Sequence, residues 1–191
     1  MRLRRVGILF VTVLATLGVM TPASADTSPY CGITWGSLPR VHHGQGDGPS
    51  DEWLDDVRAG RHACFDRLVV DLGGQDTTFG SYAVRYVTQV YEDGRGDAVP
   101  VRGAADLEVV VRAPAYDGDG NPTFRPANPR EVVDVTGYST FRQVAWAGTF
   151  EGQTTMALGV RARLPFRVFT VAGTAQSDDG PRLVIDVAHA W

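Results

Sequence analysis

Beyond residue 60 the chain alternates apolar and polar positions with the period of two that β-strands show. Leu68, Val70 and Leu72 take every second position, which places them on one face of an extended chain. Gly-rich or Pro-rich turns separate similar segments, and the predicted strands cover 67–72, 82–90, 107–111, 131–135, 143–150, 154–163, 166–171 and 183–187. This short spacing predicts an all-β (mainly β) domain, either a sandwich or a barrel.

One hairpin can be placed in register from its apolar positions. A three-residue loop at 151–153 sets Trp146 opposite Leu158 and Val144 opposite Val160, with Trp146 in the core. A two-residue loop would turn Leu158 away from the face that carries Trp146. We therefore predict the three-residue loop.

The segment before the strands lacks this alternation. Residues 26–50 contain three prolines and five glycines, which predicts an irregular arm. The Ser-Asp-Glu sequence at 50–52 is able to cap a short helix that ends at Gly60 and carries Trp53, Leu54 and Val57 on one face. An extended edge strand is the alternative for the same residues.

The N-terminus has the features of a secretory signal. Arg2, Arg4 and Arg5 precede an apolar run at 6–20, and the small residues Ala23-Ser24-Ala25 follow it. The run is shorter than the roughly 20 apolar residues that span a bilayer, and no second long run follows. The sequence therefore predicts a signal peptide over 1–25, a secreted product without stable membrane insertion, an arm over 26–53 and one β domain over 54–191.

Charge narrows the partners of the mature chain. Cleavage after residue 25 leaves 15 arginines, no lysine and 22 acidic residues, a net charge of −7. A chain this acidic is not expected to bind nucleic acid or to adhere generally to anionic surfaces.

Two cysteines are present, Cys31 and Cys64, and both lie in the mature chain. In an oxidising compartment two cysteines usually pair, so we predict a disulfide. The alternative is a catalytic cysteine that acts with a histidine, for which the chain offers His42, His43, His62 and His189.

A short repeat relates two of the predicted strands. Arg-Leu-Val-Val-Asp-Leu at 67–72 returns as Arg-Leu-Val-Ile-Asp-Val at 182–187. Both copies place three aliphatic side chains on one face, and we predict that both are buried core strands in equivalent positions. If they pair antiparallel, Arg67 lies near Asp186 and Arg182 lies near Asp71.

Several segments together resemble the AMIN-like family, small exported proteins and lipoproteins of high-GC Gram-positive bacteria. They are Gly-Arg-His-Ala-Cys-Phe-Asp-Arg-Leu-Val-Val-Asp at 60–71, Gly-Ser-Tyr-Ala-Val-Arg-Tyr at 80–86, Phe-Glu-Gly at 150–152 with Leu158-Gly159, and Arg-Leu-Val-Ile-Asp-Val-Ala-His at 182–189. The family is related to the AMIN domain, which targets cell-wall amidases and secretion pores to the envelope by binding peptidoglycan. The resemblance covers residues 54–191 and implies two packed sheets with internal pseudo-symmetry.

Candidate metal and catalytic motifs are weak. Asp117, Asp119 and Asn121 resemble the start of a calcium loop, but Pro122 replaces the usual glycine and Asn128 stands where a glutamate should close the site, so we favour a turn. The surrounding stretch 114–130 is the longest turn-rich segment, and loops of this length often bind partners.

The histidines and the absence of hydrolase motifs also give no indication of a catalytic site. We interpret His42 and His43 as exposed arm residues, and His62 and His189 as structural hydrogen-bonding groups. Neither a Gly-x-Ser-x-Gly nor a His-Glu-x-x-His motif is present. No catalytic residue, metal or cofactor is predicted, although paired carboxylates among 22 acidic residues leave glycosidase chemistry open.

We therefore predict a non-enzymatic, secreted or wall-associated module that binds peptidoglycan or another envelope component. Arg67, Arg182, Tyr82 and Tyr86 are the candidate ligand-binding residues, since all four lie in the family-like segments, and arginine binds carboxylates bidentately. The arginines and the neighbouring aspartates are alternatively cross-strand ion pairs. A module that binds an exported protein through loop 114–130 or a sheet edge, and an unrecognised hydrolase, are the alternative functions.

Overall fold

A computed structural model of the protein describes residues 30–44, 52–177 and 179–191. These residues form a short 3-10 turn, Tyr30–Gly32, and eleven strands. The strands are β1 Arg40–His42, β2 Trp53–Arg61, β3 Phe65–Gly73, β4 Tyr82–Val87, β5 Val90–Tyr91, β6 Ala98–Val99, β7 Ala105–Val111, β8 Phe141–Phe150, β9 Gln153–Val160, β10 Phe166–Val171 and β11 Arg182–Ala188.

The strands form two antiparallel sheets that pack face to face. One sheet has five strands in the order β1-β4-β7-β9-β8, the other has four in the order β10-β11-β3-β2, and β5 and β6 form a separate hairpin. One apolar cluster joins the facing surfaces and includes Leu68 and Ile185 from the four-stranded sheet and Val109 and Leu158 from the five-stranded sheet. The prediction of an all-β sandwich is confirmed.

The two repeat strands are neighbours in the middle of the four-stranded sheet. β3 and β11 pair antiparallel, with Arg67 opposite Asp186 and Arg182 opposite Asp71, so the register is symmetric about Val69 and its partner Val184. The six aliphatic residues predicted to be core are all buried: Leu68, Val70, Leu72, Leu183, Ile185 and Val187. The repeat therefore marks a local two-fold relation between the strands on which the rest of this sheet is built.

The segment beginning at Trp53 is an edge strand, and the helical alternative is wrong. Leu54 and Val57 are both buried although they are three residues apart, a spacing that is typical of helices. A β-bulge between Leu54 and Asp56 inserts one residue into β2 and brings both side chains to the inner face. The bulge thus imitates the helical period in the sequence.

The β8–β9 hairpin differs from the prediction in its loop and register. Its loop has two residues, Glu151 and Gly152, with φ of 48° and 78°, which is the left-handed pair that a type I′ turn requires. A bulge between Trp146 and Thr149 supplies the additional residue that the predicted three-residue loop was meant to supply. The apolar faces still meet, but Trp146 lies opposite Met156 rather than Leu158. Trp146 is half-buried and packs against the core.

The predicted strand at 131–135 is wrong, because this segment is a loop along the free edge of β8. Its Val132 N–H donates to the carbonyl of Val144 at 2.8 Å, while Val135 is buried in the core. The carboxylate of Asp134 accepts the Thr136 N–H at 2.8 Å and folds the chain into a turn. The apolar residues of this segment are buried or half-buried because the loop covers the edge of β8, although the segment is not a strand.

The described part of the arm joins both sheets. β1 pairs with β4 at the edge of the five-stranded sheet, and Gly36 bridges to Phe166 at the edge of β10. The predicted disulfide between Cys31 and Cys64 is present. The predicted signal peptide lies outside the described residues. No helix in the part of the chain that the structure describes is long and apolar enough to cross a bilayer.

Candidate functional site

The outer face of the four-stranded sheet carries arginine and aromatic side chains where a polar surface would be expected. Alternation along β3 buries Asp66 and Leu68 and turns Phe65 and Arg67 outward. In the same way Phe166 on β10 enters the core, and the next residue along, Arg167, faces outward.

One carboxylate holds the two arginines together. Asp186 on β11 stands between Arg67 and Arg167 in the pairing of the three strands and is 0% exposed. Its Oδ1 accepts a hydrogen bond from Arg67 Nε at 2.6 Å, and its Oδ2 accepts bonds from Arg67 Nη2 at 2.9 Å and from Arg167 Nε at 2.7 Å. The hydrogen bond to Asp186 raises the pKa of Arg67, so this guanidinium stays charged.

Three aromatic rings surround these guanidinium groups. The Arg67 guanidinium carbon lies 5.1 Å from the centroid of the Phe65 ring and 5.5 Å from that of Phe169. The Arg167 guanidinium carbon lies 5.3 Å from Phe65, 5.2 Å from Phe169 and 5.6 Å from Trp35. All of these distances are within the range of cation–π contacts. We call this set of residues the arginine–aromatic cluster: Trp35, Phe65, Arg67, Arg167, Phe169 and Asp186.

The arm brings Trp35 to this cluster through two attachments. The Cys31–Cys64 disulfide anchors the arm at the start of β3, and Gly36 exchanges two backbone hydrogen bonds with Phe166, of 3.1 and 2.7 Å. Trp35 lies between these two points, with its ring 6.0 Å from the Phe65 ring. The disulfide therefore has a positional role in addition to any effect on stability.

The cluster has hydrogen-bonding capacity and charge to spare. Each guanidinium has five N–H groups, and Asp186 accepts hydrogen bonds from two of those of Arg67 and one of those of Arg167, with Nη2 of Arg167 also 2.7 Å from Oδ2. The side chains of the two arginines are 26% and 31% exposed, and two positive charges face a single negative one. The arrangement suits a ligand that presents a carboxylate together with an apolar or sugar face.

The four predicted ligand-binding residues do not lie together. Arg182 shares the outer face with Arg67 but lies opposite Asp71, four residues or roughly 13 Å along β3. Tyr82 and Tyr86 belong to β4 in the other sheet, and both pack against the core. Burial raises the pKa of Tyr86 to about 12, and its hydroxyl donates to the carbonyl of Leu164 at 2.7 Å. A ligand role for these residues stays a prediction.

Only one of the two expected ion pairs between β3 and β11 forms. Arg67 pairs with Asp186, but Arg182 pairs with Asp179 at 2.6 Å, and Asp71 pairs instead with Arg58 of the neighbouring strand β2 at 2.6 Å. The β3–β11 register places the two Arg–Asp pairs in equivalent positions. The residues beside them differ, and the ion pairs differ for that reason.

Residues 52–189 of the sequence match the model of the AMIN-like domain family. The chain belongs to the AMIN-like domain family. No curated protein and no solved structure matches the sequence at a significant level. Cys31 and Trp35 precede the matched residues, whereas Phe65, Arg67, Arg167, Phe169 and Asp186 lie within them.

A second buried carboxylate in the AMIN-like domain is structural. Asp66 is 0% exposed, and its Oδ2 accepts the backbone N–H groups of Thr140 and Phe141 at 2.5 and 3.1 Å. Its Oδ1 lies 3.1 Å from Nε2 of His189, which is the structural hydrogen bond expected for that histidine. His62 stacks on Phe65 with the ring centroids 4.5 Å apart.

Loop 114–130 contains a turn at the candidate calcium motif. The Asp117 carboxylate accepts the backbone N–H groups of Asp119 and Asn121 at 3.0 and 2.8 Å, which directs it at its own loop, and the Asn121 side chain lowers its pKa further. Among the described residues, no group of three His, Cys, Asp or Glu side chains is placed to hold a metal ion. The preference for a turn agrees with this geometry.

One carboxyl group in the AMIN-like domain has a strongly raised pKa. Burial raises the pKa of Glu52 to about 7, and Asp76 adds to the effect, while the N–H of Gly80 opposes it. Glu52 is only 2% exposed, and its Oε1 has no partner among the described residues. A substrate has no access to a group as buried as Glu52. The pair formed by Glu52 and Asp76 therefore gives no support to glycosidase chemistry.

Sequence reasoning missed Trp35, Arg167 and Phe169. Arg167 and Phe169 alternate on the outer face of β10, and Phe65 and Arg67 do the same on β3. Two strands that each carry an arginine and a phenylalanine on the polar face were the available signal. Nothing in the local sequence around Trp35 indicates that a disulfide brings it to the same place.

Proposed function

We propose that this AMIN-like domain is an exported, non-enzymatic module that binds peptidoglycan through the outer face of its four-stranded sheet. Family membership supports an envelope-directed role, since the related AMIN domain binds the cell wall. The predicted signal peptide supports export, and a disulfide is typical of proteins that fold in oxidising compartments.

The arginine–aromatic cluster is the observation that carries the proposal. Peptidoglycan combines sugar rings, which stack on aromatic faces, with peptide carboxylates, which arginine binds through paired N–H groups. Arg67 and Arg167 are fixed by the buried Asp186 and keep unused N–H groups at a partly exposed surface. Because the mature chain carries a net charge of −7, binding to an acidic wall requires a local site of this kind.

Co-sedimentation of the mature protein with purified sacculi stripped of teichoic polymers tests the proposal. We expect retention that survives moderate salt, since a specific site depends less on long-range attraction than a general polyanion contact does. Arg67→Ala should weaken retention at least several-fold, because a hydrogen bond to a charged group contributes about 1.5–3 kcal/mol. Asp186 keeps Arg167 as a partner in this variant, and a thermal melt checks folding first.

Arg85→Ala is the matched control. Arg85 forms a cross-strand ion pair with Glu108 at 2.7 Å, as Arg67 does with Asp186, but it lies in the five-stranded sheet. We expect wild-type retention for this variant, and Tyr82→Phe tests separately one of the other three predicted residues. If the wild-type protein stays in the supernatant at low and moderate salt, wall binding is refuted.

A further inference from the structure

The outer edge of β10 lacks the protection that the other sheet edges have. β1 has only three residues, and β2 is rich in charged residues and carries a bulge between Leu54 and Asp56. Loop residues cover the edge of β8, where the Trp146 N–H donates to the carbonyl of Pro129 at 2.7 Å. Natural sheets usually shorten, bend, charge or cover their edges, because an open edge pairs with other chains. β10 is a regular strand of six residues without proline or bulge.

Four backbone groups of β10 at this edge have no hydrogen-bond partner among the described residues. The N–H and C=O of Phe166 point away from β11 and bond to Gly36. Because backbone groups alternate in direction along an antiparallel strand, those of Val168 and Thr170 also point away from β11. No described residue bonds to these two N–H and two C=O groups. Thr170 and Val171 are exposed, so the edge is accessible over this stretch.

The arm closes one end of the open stretch. Trp35 and Gly36 occupy the edge beside Arg167 and Phe166, and the chain then crosses the outer face to the disulfide at Cys64. An added strand therefore has room along Val168 to Val171 and must end, or leave the sheet, where it reaches Trp35.

The charge of the arginine–aromatic cluster determines which terminus of an added peptide strand, here called the guest, is favoured at the end of the edge that the arm closes. Arg67 and Arg167 lie there, and Asp186 is the one carboxylate among the described residues that pairs with them, so two positive charges face one negative charge. A carboxylate is stabilised in that position, and an ammonium group is repelled. A strand that runs antiparallel to β10 presents its C-terminus to this end.

We propose that the β10 edge binds the extended C-terminal end of another polypeptide as an added antiparallel strand, with the terminal carboxylate beside Arg167. The last residue of the guest lies opposite the half-buried Val168, which favours an aliphatic side chain there. The residue before it lies beside Phe169 on the outer face. This mode joins strand addition to capture of a chain terminus, and it gives the module a protein partner in addition to the wall.

The probe that tests the proposal is fluorescein-Gly-Gly-Val-Thr-Val-Val with a free terminal carboxylate. Two matched peptides carry a terminal amide in place of the carboxylate, or proline in place of the threonine and the last valine. Fluorescence anisotropy with the mature, oxidised protein should detect the first peptide at concentrations below about 1 mM. The amide should bind about tenfold more weakly, since it loses a charge-assisted contact, and the proline peptide, which loses both N–H donors to β10, should not bind detectably.

Thr170→Pro is the protein variant that separates edge pairing from other contacts. The Thr170 N–H points outward and makes no ladder bond, so proline is compatible with this edge position. We expect this variant to keep its fold and lose the probe, whereas Thr170→Val, which retains the N–H, should bind as wild type does. Neither variant should alter sedimentation with sacculi, which separates this proposal from wall binding.

Hydrogen exchange gives a readout that does not depend on any variant. The amides of Val168 and Thr170 should become protected when the probe is added, while that of Phe169 is already protected in the β10–β11 ladder. Failure of the carboxylate peptide to bind, equal binding of the amide peptide, or unchanged exchange at Val168 would overturn the proposal. Self-association of the free protein that Thr170→Pro abolishes would also overturn it, since a second copy would then occupy the edge.

Discussion

At the scale of single residues, the buried carboxylates differ in how completely they are neutralised. Asp186 has two arginines, and Asp66 has two backbone amides and a histidine. Glu52 has only the N–H of Gly80 and an oxygen without a partner among the described residues. Burial without compensation favours the protonated form of an acid, so Glu52 is the group whose ionisation opposes folding.

Glu52 should make the folded state less stable as the pH rises. The pKa is about 7 in the folded protein and 4.5 in the unfolded chain, so between these values the folded state binds more protons. The free energy of unfolding should therefore fall by up to about 3 kcal/mol between pH 4.5 and 7 and be level above that, since each pKa unit corresponds to about 1.4 kcal/mol. Urea denaturation across this range measures the slope.

Glu52→Gln should remove that slope, because the amide does not ionise. At pH 8 the variant should be more stable than the wild type by an amount that approaches the same 3 kcal/mol. Asp55→Asn changes an exposed carboxylate three residues further along, in β2, and is the control that should keep the wild-type slope. A wild-type slope in the Glu52→Gln variant would show that another group governs the pH dependence.

The residues that could be predicted from sequence are those governed by alternation. The six aliphatics of the repeat and the Arg67–Asp186 pair follow from a period of two and one assumption about pairing. Arg182 and Asp71 have the same relation in the register, yet each has a different partner, Asp179 or Arg58. Ion-pair choice depends on which strands flank the pair, and no local pattern contains that information.

At the scale of strands, the irregularities of this fold decide the register. The bulges in β2 and β8 each insert one residue, and each led the sequence reading away from the structure. A one-residue shift moves a whole strand's side chains to the opposite face, so an inserted residue and a loop of different length can compensate for each other. The apolar pattern therefore predicted which faces meet in the β8–β9 hairpin and not how the chain achieves it.

Gly148, in the β8 bulge, should be sensitive to substitution because of its backbone conformation. Its φ is 106°, a region that side chains rarely adopt, and a Cβ there would lie 3.3 Å from the backbone nitrogen of Asp93. Gly148→Ala should lower the free energy of unfolding by about 2 kcal/mol, the typical cost of such backbone strain. Urea denaturation measures the difference. Gly118→Ala, where nothing lies within 4 Å of the added Cβ, should be nearly neutral, and equal effects at both sites would contradict the argument.

At the scale of the whole molecule, the arm is a clasp between the two edges of the fold. Residues 30–36 cross the four-stranded sheet and β1 joins the five-stranded sheet, with the disulfide as the covalent attachment. The fold class, the disulfide and the family were predictable from sequence. Of the predicted ligand-binding residues only Arg67 belongs to the candidate site, because the site draws on residues from β3, β10, β11 and the arm that come together through topology.

Loss of the disulfide should destabilise the fold and loosen Trp35. The loop that it closes spans 33 residues, for which the chain-entropy estimate is about 3–4 kcal/mol. The Cys31→Ser, Cys64→Ser double variant should show that loss in urea denaturation and a changed near-UV signal from Trp35. The oxidised wild type should have no thiol that reacts with an alkylating reagent. Equal stability of the wild type and the double variant would contradict this account.

The central position of β11 constrains the order in which the fold can be completed. β11 is the last in chain order of the eleven described strands, yet it pairs on one side with β3, whose nearest residue is more than a hundred positions earlier, and on the other side with β10. Until it arrives, β3 has β2 as its only ladder partner, and β10 has none within the sheet. Contacts so distant in sequence form slowly, because a long loop must close first. A folding intermediate in which β11 has not yet paired therefore leaves the facing edges of β3 and β10 open, and open strand edges make such an intermediate prone to aggregation.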